Sequence, residues 1–95
     1  MARDRVVEID LGTVESTADL HRRLKEALRF PEGYGCNWDA FWDAITGLVR
    51  MPETLKLAGW SSFRERFPRD AEQLQRALRD MAAESPKEAP RVVYA

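Results

Sequence analysis

The sequence predicts a small α/β domain, and two observations carry that expectation. Short apolar runs stand near both ends and the middle of the chain, at Arg5–Leu11, around Leu55 and Leu57, and at Pro90–Tyr94. Between them lie segments whose apolar residues recur at the i, i+3, i+4 spacing of a helix. Strands separated by helices need crossover connections, which implies a parallel sheet.

Each element follows from local chemistry. Arg5–Leu11 carries Val6, Val7, Ile9 and Leu11, and β-branched residues favour a strand. Ser16-Thr17-Ala18-Asp19 is a capping-box start, and Leu20, Leu24, Ala27 and Leu28 give the first helix its buried stripe. That helix must end before Pro31, because the ring displaces Phe30 from helical geometry. A turn at Pro31–Cys36 leads to a second helix from Asn37 to about Arg50, closed by Pro52. Its apolar face is Trp38, Phe41, Trp42, Ile45, Leu48 and Val49. Glu53–Ala58 alternates as a second strand, and Gly59 breaks it. Ser61 or Ser62 caps a short helix that Pro68 ends. Asp70 with Gln73 forms another capping box, opening a helix with Leu74, Ala77, Leu78 and Met81 inward. Ser85-Pro86 stops it before the last strand.

The chain's 95 residues are expected to form one domain, spanning 1–95, without repeats or linkers. A chain this size buries a little over ~60% of its unfolded surface. At 44% hydrophobic residues it needs no metal or disulfide, and its one cysteine, Cys36, has no partner. The N-terminal residues lack an apolar signal core and no run reaches membrane-spanning length, so cytoplasm is the expected compartment. A net charge of −1 points to neither nucleic acid nor membrane. The distribution matters more than the sum: Glu32 to Thr46 holds only acidic charges, a field that would steer a basic partner.

The segment Pro31–Arg50 carries most of the functional information. Asp39, Asp43 and Thr46 fall opposite the apolar face, one turn apart. Asp39 sits in the first turn, where the positive helix end favours a carboxylate. Asp43 lacks that support, and like charges at i, i+4 cost ~0.2–0.5 kcal/mol. Two carboxylates displayed at this cost suggest a cationic target.

From Asp19 to Pro52 the chain resembles the barstar family of small intracellular inhibitors of bacterial guanyl-specific ribonucleases. The resemblance rests on Ala-Asp-Leu-His, Leu-Lys-Glu-Ala-Leu, Phe-Pro-Glu, Tyr-Gly, Asn-Trp-Asp-Ala-Phe-Trp-Asp and Thr-Gly, and runs more loosely through the C-terminal helix. It implies a small three-stranded parallel sheet packed with about four helices. It also implies that Asp39 and Asp43 face a nuclease's cationic active site in place of substrate phosphate. Tyr34 and Asn37 match positions in or beside the binding loop, although a turn aromatic and an N-cap are their plain structural readings. Trp42 matches a partly exposed tryptophan beside the acids, whereas Trp38 replaces an aliphatic residue. Thr46 and Gly47 match the family's Thr-Gly: the hydroxyl can add a contact, and the glycine either opens the backbone to a partner or ends the helix. Asp80 and Glu84 match acids that extend the surface, with Glu84 the more peripheral; a solvated helix face also explains them. Gly33 and Leu48 stand where the family has a tyrosine and a tryptophan, and large aromatics often anchor interfaces.

The resulting expectation is a non-enzymatic inhibitor, without cofactor, metal or catalytic residues. Its partner would be a small ribonuclease with a basic cleft, barnase-like or related, bound one-to-one. Two other readings compete. One is an immunity or antitoxin-like protein against a different toxin; the other is a small metal-dependent hydrolase centred on Asp39 and Asp43. His21, the only histidine, reads as a structural residue flanking the first helix's stripe. Cys36 precedes a helix start, a place that favours a thiolate, but no Ser-His-Asp set or phosphate-cradling loop accompanies these groups.

Overall fold

A computed structural model describes residues 3–95. The chain runs β1 (Val6–Asp10), α1 (Thr17–Leu28), α2 (Trp38–Asp43) with a wider turn at Ala44–Leu48, β2 (Thr54–Ala58), α3 (Trp60–Arg66), α4 (Pro68–Glu84) and β3 (Arg91–Tyr94). The sheet order is β1-β2-β3, all parallel. Each connection therefore carries a pair of helices across the sheet, as the alternating sequence pattern requires.

Register explains why the sheet has a dry face and a wet one. Val7, Leu55 and Val92 lie side by side, as do Ile9, Leu57 and Tyr94. Leu55 and Leu57 are fully buried, and Ile9 nearly so. The alternate residues Glu8 and Lys56 pair across the other face at 3.9 Å, in water. Against the dry face pack Leu20 and Leu24 of α1, Phe41 and Ile45 near α2, Phe63 of α3, and Leu74, Leu78 and Met81 of α4.

Arginines secure the loops. Arg66 donates to the carbonyls of Val14 at 2.6 Å and Gly12 at 2.8 Å, and Arg23 to those of Asp10 and Thr13, both at 2.9 Å. Arg3 reaches Met51 O and Pro52 O at 2.9 and 2.8 Å. A guanidinium fork meets several carbonyls at once, and such charge-assisted bonds are stronger than neutral ones. Arg3, Arg23 and Arg66 thus serve as internal stitching.

Three helix boundaries differ from the sequence reading. The short helix begins at Trp60, capped by Gly59 in the left-handed region at φ 70°, and neither Ser61 nor Ser62 caps it. Pro68 does not merely end that helix; it opens α4, where its fixed φ and missing N–H suit the first turn. Asp70 is consequently inside α4 rather than at its cap. The long helix from Asn37 is also not uniform. After Asp43 it widens into a π turn, closed by Val49 N–H to Ala44 O at 3.1 Å, and Val49 is extended.

Candidate functional site at the α2 face

The exit from α1 sets up the loop. Arg29 takes the left-handed conformation at φ 60°, and the Phe30 N–H bonds back to Lys25 O at 3.0 Å. This is the 6→1 closure of a Schellman end, with arginine in glycine's usual place. Phe30 then enters the core, and Pro31 to Tyr34 forms a turn closed by Tyr34 N–H to Pro31 O at 3.0 Å.

Asn37 is the N-cap of α2. Its Oδ1 accepts from Ala40 N–H at 2.7 Å, and its Nδ2 donates to Gly35 O at 3.2 Å. Both ends of the amide are therefore engaged in holding loop to helix. Cys36 precedes it as an exposed free thiol with φ 51°, a left-handed bend that a non-glycine residue rarely adopts.

Tyr34 is half-buried and its hydroxyl points inward, 2.6 Å from Nδ1 of His21. Its ring also lies 4.8 Å from that of Phe30. Burial pushes the Tyr34 hydroxyl far above its ordinary titration range. Burial likewise lowers the His21 imidazole below its ordinary 6.5, against an opposing pull from Asp70. The structural reading of His21 holds, and its burial is complete.

Trp38 is a tie rather than a free aromatic. Its ring meets Phe41 edge-on at 5.4 Å, and its indole N–H donates to Asp70 at 3.2 Å. The other Asp70 oxygen accepts from the Thr17 hydroxyl at 2.6 Å. One carboxylate thereby joins α1, α2 and α4. No sequence signal announces this, because the partners lie 53 and 32 positions away.

Asp39 and Asp43 are both exposed on α2, and each borders its own depression. Asp43 edges a cleft of about 310 Å³ with Pro31, Gly33, Tyr34, Gly35, Ala40 and Leu48. Asp39 edges a groove of about 150 Å³ between α2 and α4, shared with Trp38, Trp42, Gln73, Arg76, Ala77 and Asp80. Trp42 is half-buried, with the split exposure that the resemblance implies. Asp80 thus joins Asp39. Glu84, one turn along and exposed, lines neither depression. Arg76 is the residue that sequence reasoning missed: the acidic window 32–46 has a basic neighbour supplied by α4.

The π turn alters the end of the helix. Leu48 was expected in the buried stripe, yet it is 62% exposed, because the extra residue in the turn swings it outward beside the cleft. Such widened turns are frequent at functional sites. Thr46 donates its hydroxyl to Trp42 O at 2.6 Å, so it has lone pairs left but no free proton. Gly47 does not adopt the left-handed conformation of a helix-ending glycine, and a Cβ there would meet open space. Gly33 is alike in both respects. Neither glycine is demanded by the fold; both leave backbone bare at the rim.

Among the described residues no three His, Cys, Asp or Glu side chains gather as a metal site would require. No helix among the described residues is long and apolar enough to cross a membrane.

The face combines acids on one helix, a pinned loop beside it, and a supporting helix behind. The chain belongs to the barstar family, whose model, described as Barstar (barnase inhibitor), matches residues 4–95. It is also 47% identical over 53 residues to the "Putative ribonuclease inhibitor YrdF" of Bacillus subtilis (strain 168). That match covers 56% of this chain and 58% of the relative, so it spans little more than half of either.

Proposed function

We propose that this chain inhibits a small guanyl-specific ribonuclease by covering its active cleft with α2, the turn at 31–36 and the adjoining part of α4. The observation that carries this reading is the exposed acid pair of α2, each acid beside its own depression. A carboxylate accepts paired hydrogen bonds from arginine much as a phosphate does. Asp43 stands in for substrate phosphate nearest the partner's catalytic cations, and Asp39 supports it with Asp80 from the α4 side. Trp42, Thr46, Gly47 and the loop around Tyr34 and Asn37 supply the surrounding contacts, and Glu84 acts at the periphery. The complex is one-to-one, the protein turns nothing over, and it works in the cytoplasm, where a stray nuclease would cleave RNA. With Gly33 and Leu48 in place of large aromatics, the rim fits barnase less well than a related enzyme of different edge shape.

Titration against a panel of purified small guanyl-specific ribonucleases, barnase included, tests the reading. At least one enzyme should lose RNA cleavage at one equivalent, and the chain alone should hydrolyse no RNA with magnesium present. Asp43→Ala should weaken that complex ~30-fold or more, Asp39→Ala less, and Glu84→Ala by a few-fold at most. Full activity of every enzyme at large excess refutes the proposal.

A further inference from the structure

The α-helical part of α2 is only six residues long, Trp38–Asp43, and it widens into the π turn directly afterwards. So short a helix does not fix its own direction; the elements packed around it must. Yet it carries Asp39, which borders one groove together with Asp80 of α4. Two acids on different helices act on one partner only if the helices hold a set spacing.

One side chain stands where that spacing could be set. Trp38, the first residue of α2, lies with its ring 4.6 Å from His21 and edge-on to Phe41 at 5.4 Å. Its indole N–H leaves this packing and donates to Asp70, in the first turn of α4, at 3.2 Å. The second Asp70 oxygen accepts from the hydroxyl of Thr17, the first residue of α1, at 2.6 Å. A carboxylate in a first turn ordinarily serves its own helix. Asp70 instead gives both oxygens to the starts of two other helices, so three helix starts meet at one half-buried group.

We propose that Asp70 is a positioning residue for partner binding: through Trp38 and Thr17 it fixes the start of α2 against α1 and α4, and so sets how Asp39 stands relative to Asp80. The proposal rests on the inhibitory reading of this face. Asp39 follows Trp38 directly in the chain, so whatever holds Trp38 to α4 also holds Asp39 there. The tie belongs to this sequence rather than to the family pattern. That pattern has an aliphatic residue at position 38, which fills a core equally well but has no N–H to give.

A rival role for Asp70 is simply one more negative charge drawing in a basic partner. The two roles part on the amide. In Asp70→Asn the side-chain oxygen still accepts from the indole and the NH2 can donate to the Thr17 oxygen, so both contacts survive without the charge. In Asp70→Ala both are lost. Trp38→Phe keeps a ring in place and removes only the donor to Asp70.

The test has a free-protein arm and a complex arm. The amides of Ala40 and Phe41 bond to Asn37 in the first turn of α2, and their hydrogen exchange reports on its seating. Exchange should accelerate about tenfold in Asp70→Ala and in Trp38→Phe, and the double variant should be no faster than either. In Asp70→Asn it should stay within about twofold of the parent. Denaturation midpoints separate this local loosening from global loss; if Asp70→Ala does not fold, Trp38→Phe carries the arm. With whichever panel ribonuclease the parent inhibits, dissociation should follow the same order, about tenfold faster in Asp70→Ala and nearly unchanged in Asp70→Asn. In an Asp39→Ala background most of the Asp70→Ala effect should vanish, because the positioned group is gone. An effect that persists there in full overturns the proposal. So does an equal loss in Asp70→Asn and Asp70→Ala that lies in the association rate and fades with salt, which is the signature of charge alone. Unchanged exchange in Asp70→Ala overturns the tie whether or not a ribonuclease binds. Failure of every ribonuclease to bind refutes the inhibitory reading and leaves the exchange arm to decide whether Asp70 seats α2.

Discussion

The two loops at the ends of α1 are held by opposite kinds of chemistry. The loop entering α1, after β1, is gripped by Arg23 and Arg66, whose guanidinium groups donate to the carbonyls of Asp10, Gly12, Thr13 and Val14. The loop leaving α1 is held by a neutral tyrosine–histidine bond, a capping asparagine and a tilted contact between the Tyr34 and Phe30 rings. Its ion pair, Lys25 with Glu32, is at the surface and of little weight. The difference has a functional logic. Guanidinium groups beside Asp39 and Asp43 would neutralise the charges that the face displays. The chain places most of its cationic tethers on the scaffold side and holds the acidic side with uncharged groups. The consequence is unequal robustness, since arginine never titrates in the ordinary range whereas histidine does.

The largest effect expected on the scaffold side is at Gly59. Its φ of 70° is left-handed, and a Cβ would lie 2.5 Å from the backbone nitrogen of Gly12, inside the arginine-gripped loop. Gly59→Ala therefore combines backbone strain with a clash that no side chain can relieve, at a cost of about 3 kcal/mol. Urea unfolding should show the midpoint falling steeply. A loss as small as that of Gly33→Ala, where a Cβ meets open space, would break the contrast between a tight loop and an open one.

Next comes Arg66→Ala, expected to cost about 2 kcal/mol, because it removes a charged donor from several carbonyls on a partly solvated surface. Arg66→Lys should recover only part of this, since an ammonium cannot bridge Val14 O and Gly12 O together. Both losses should be flat with pH from 5 to 8. His21 sets the opposite trend elsewhere in the molecule. Its folded value is depressed, so its neutral-ring contribution is fully present above 6.5 and declines as pH falls below that value. Denaturation midpoints of parent and Arg66→Ala, measured in parallel across that range, should therefore shift together.

Much of the fold is legible in the sequence because its signals are local. Ser16 and Asn37 cap helices in the structure as their positions imply, the β-branched runs form the two outer strands, the alternating run forms the central one, and crossovers between them force the parallel sheet. The exposure of Asp39 and Asp43 also follows from helical spacing. What escapes is non-local or depends on competition between signals. Pro68 reads equally as a stop and as a first-turn residue, and packing of α4 decides. Asp70 resembles a cap, but its carboxylate serves Thr17 and Trp38 from other helices. The π turn leaves no mark in composition, so Leu48 is assigned inward by spacing and found outward. The His21–Tyr34 bond joins two residues whose separate readings, a structural histidine and a turn aromatic, say nothing of each other.

Arg76 gives the smallest and most diagnostic effect. It is exposed in the same groove as Asp39 and Asp80, with no ion pair within 4.0 Å among the described residues. Against a ribonuclease with a basic cleft its charge opposes the approach that the acids promote. Arg76→Gln should then raise the association rate about two- to fivefold at low salt, with the gain fading towards 1 M salt as the screening length shrinks to ~3 Å. Dissociation should hardly change, because a rim charge steers more than it anchors. Stopped-flow association at several salt concentrations measures both terms. If the variant instead dissociates faster, Arg76 is meeting an acceptor on the partner, and the groove is then a selectivity element that rejects purely basic rivals. Either sign sharpens the comparison: one makes Arg76 a brake on an acidic face, the other makes that face deliberately mixed in charge.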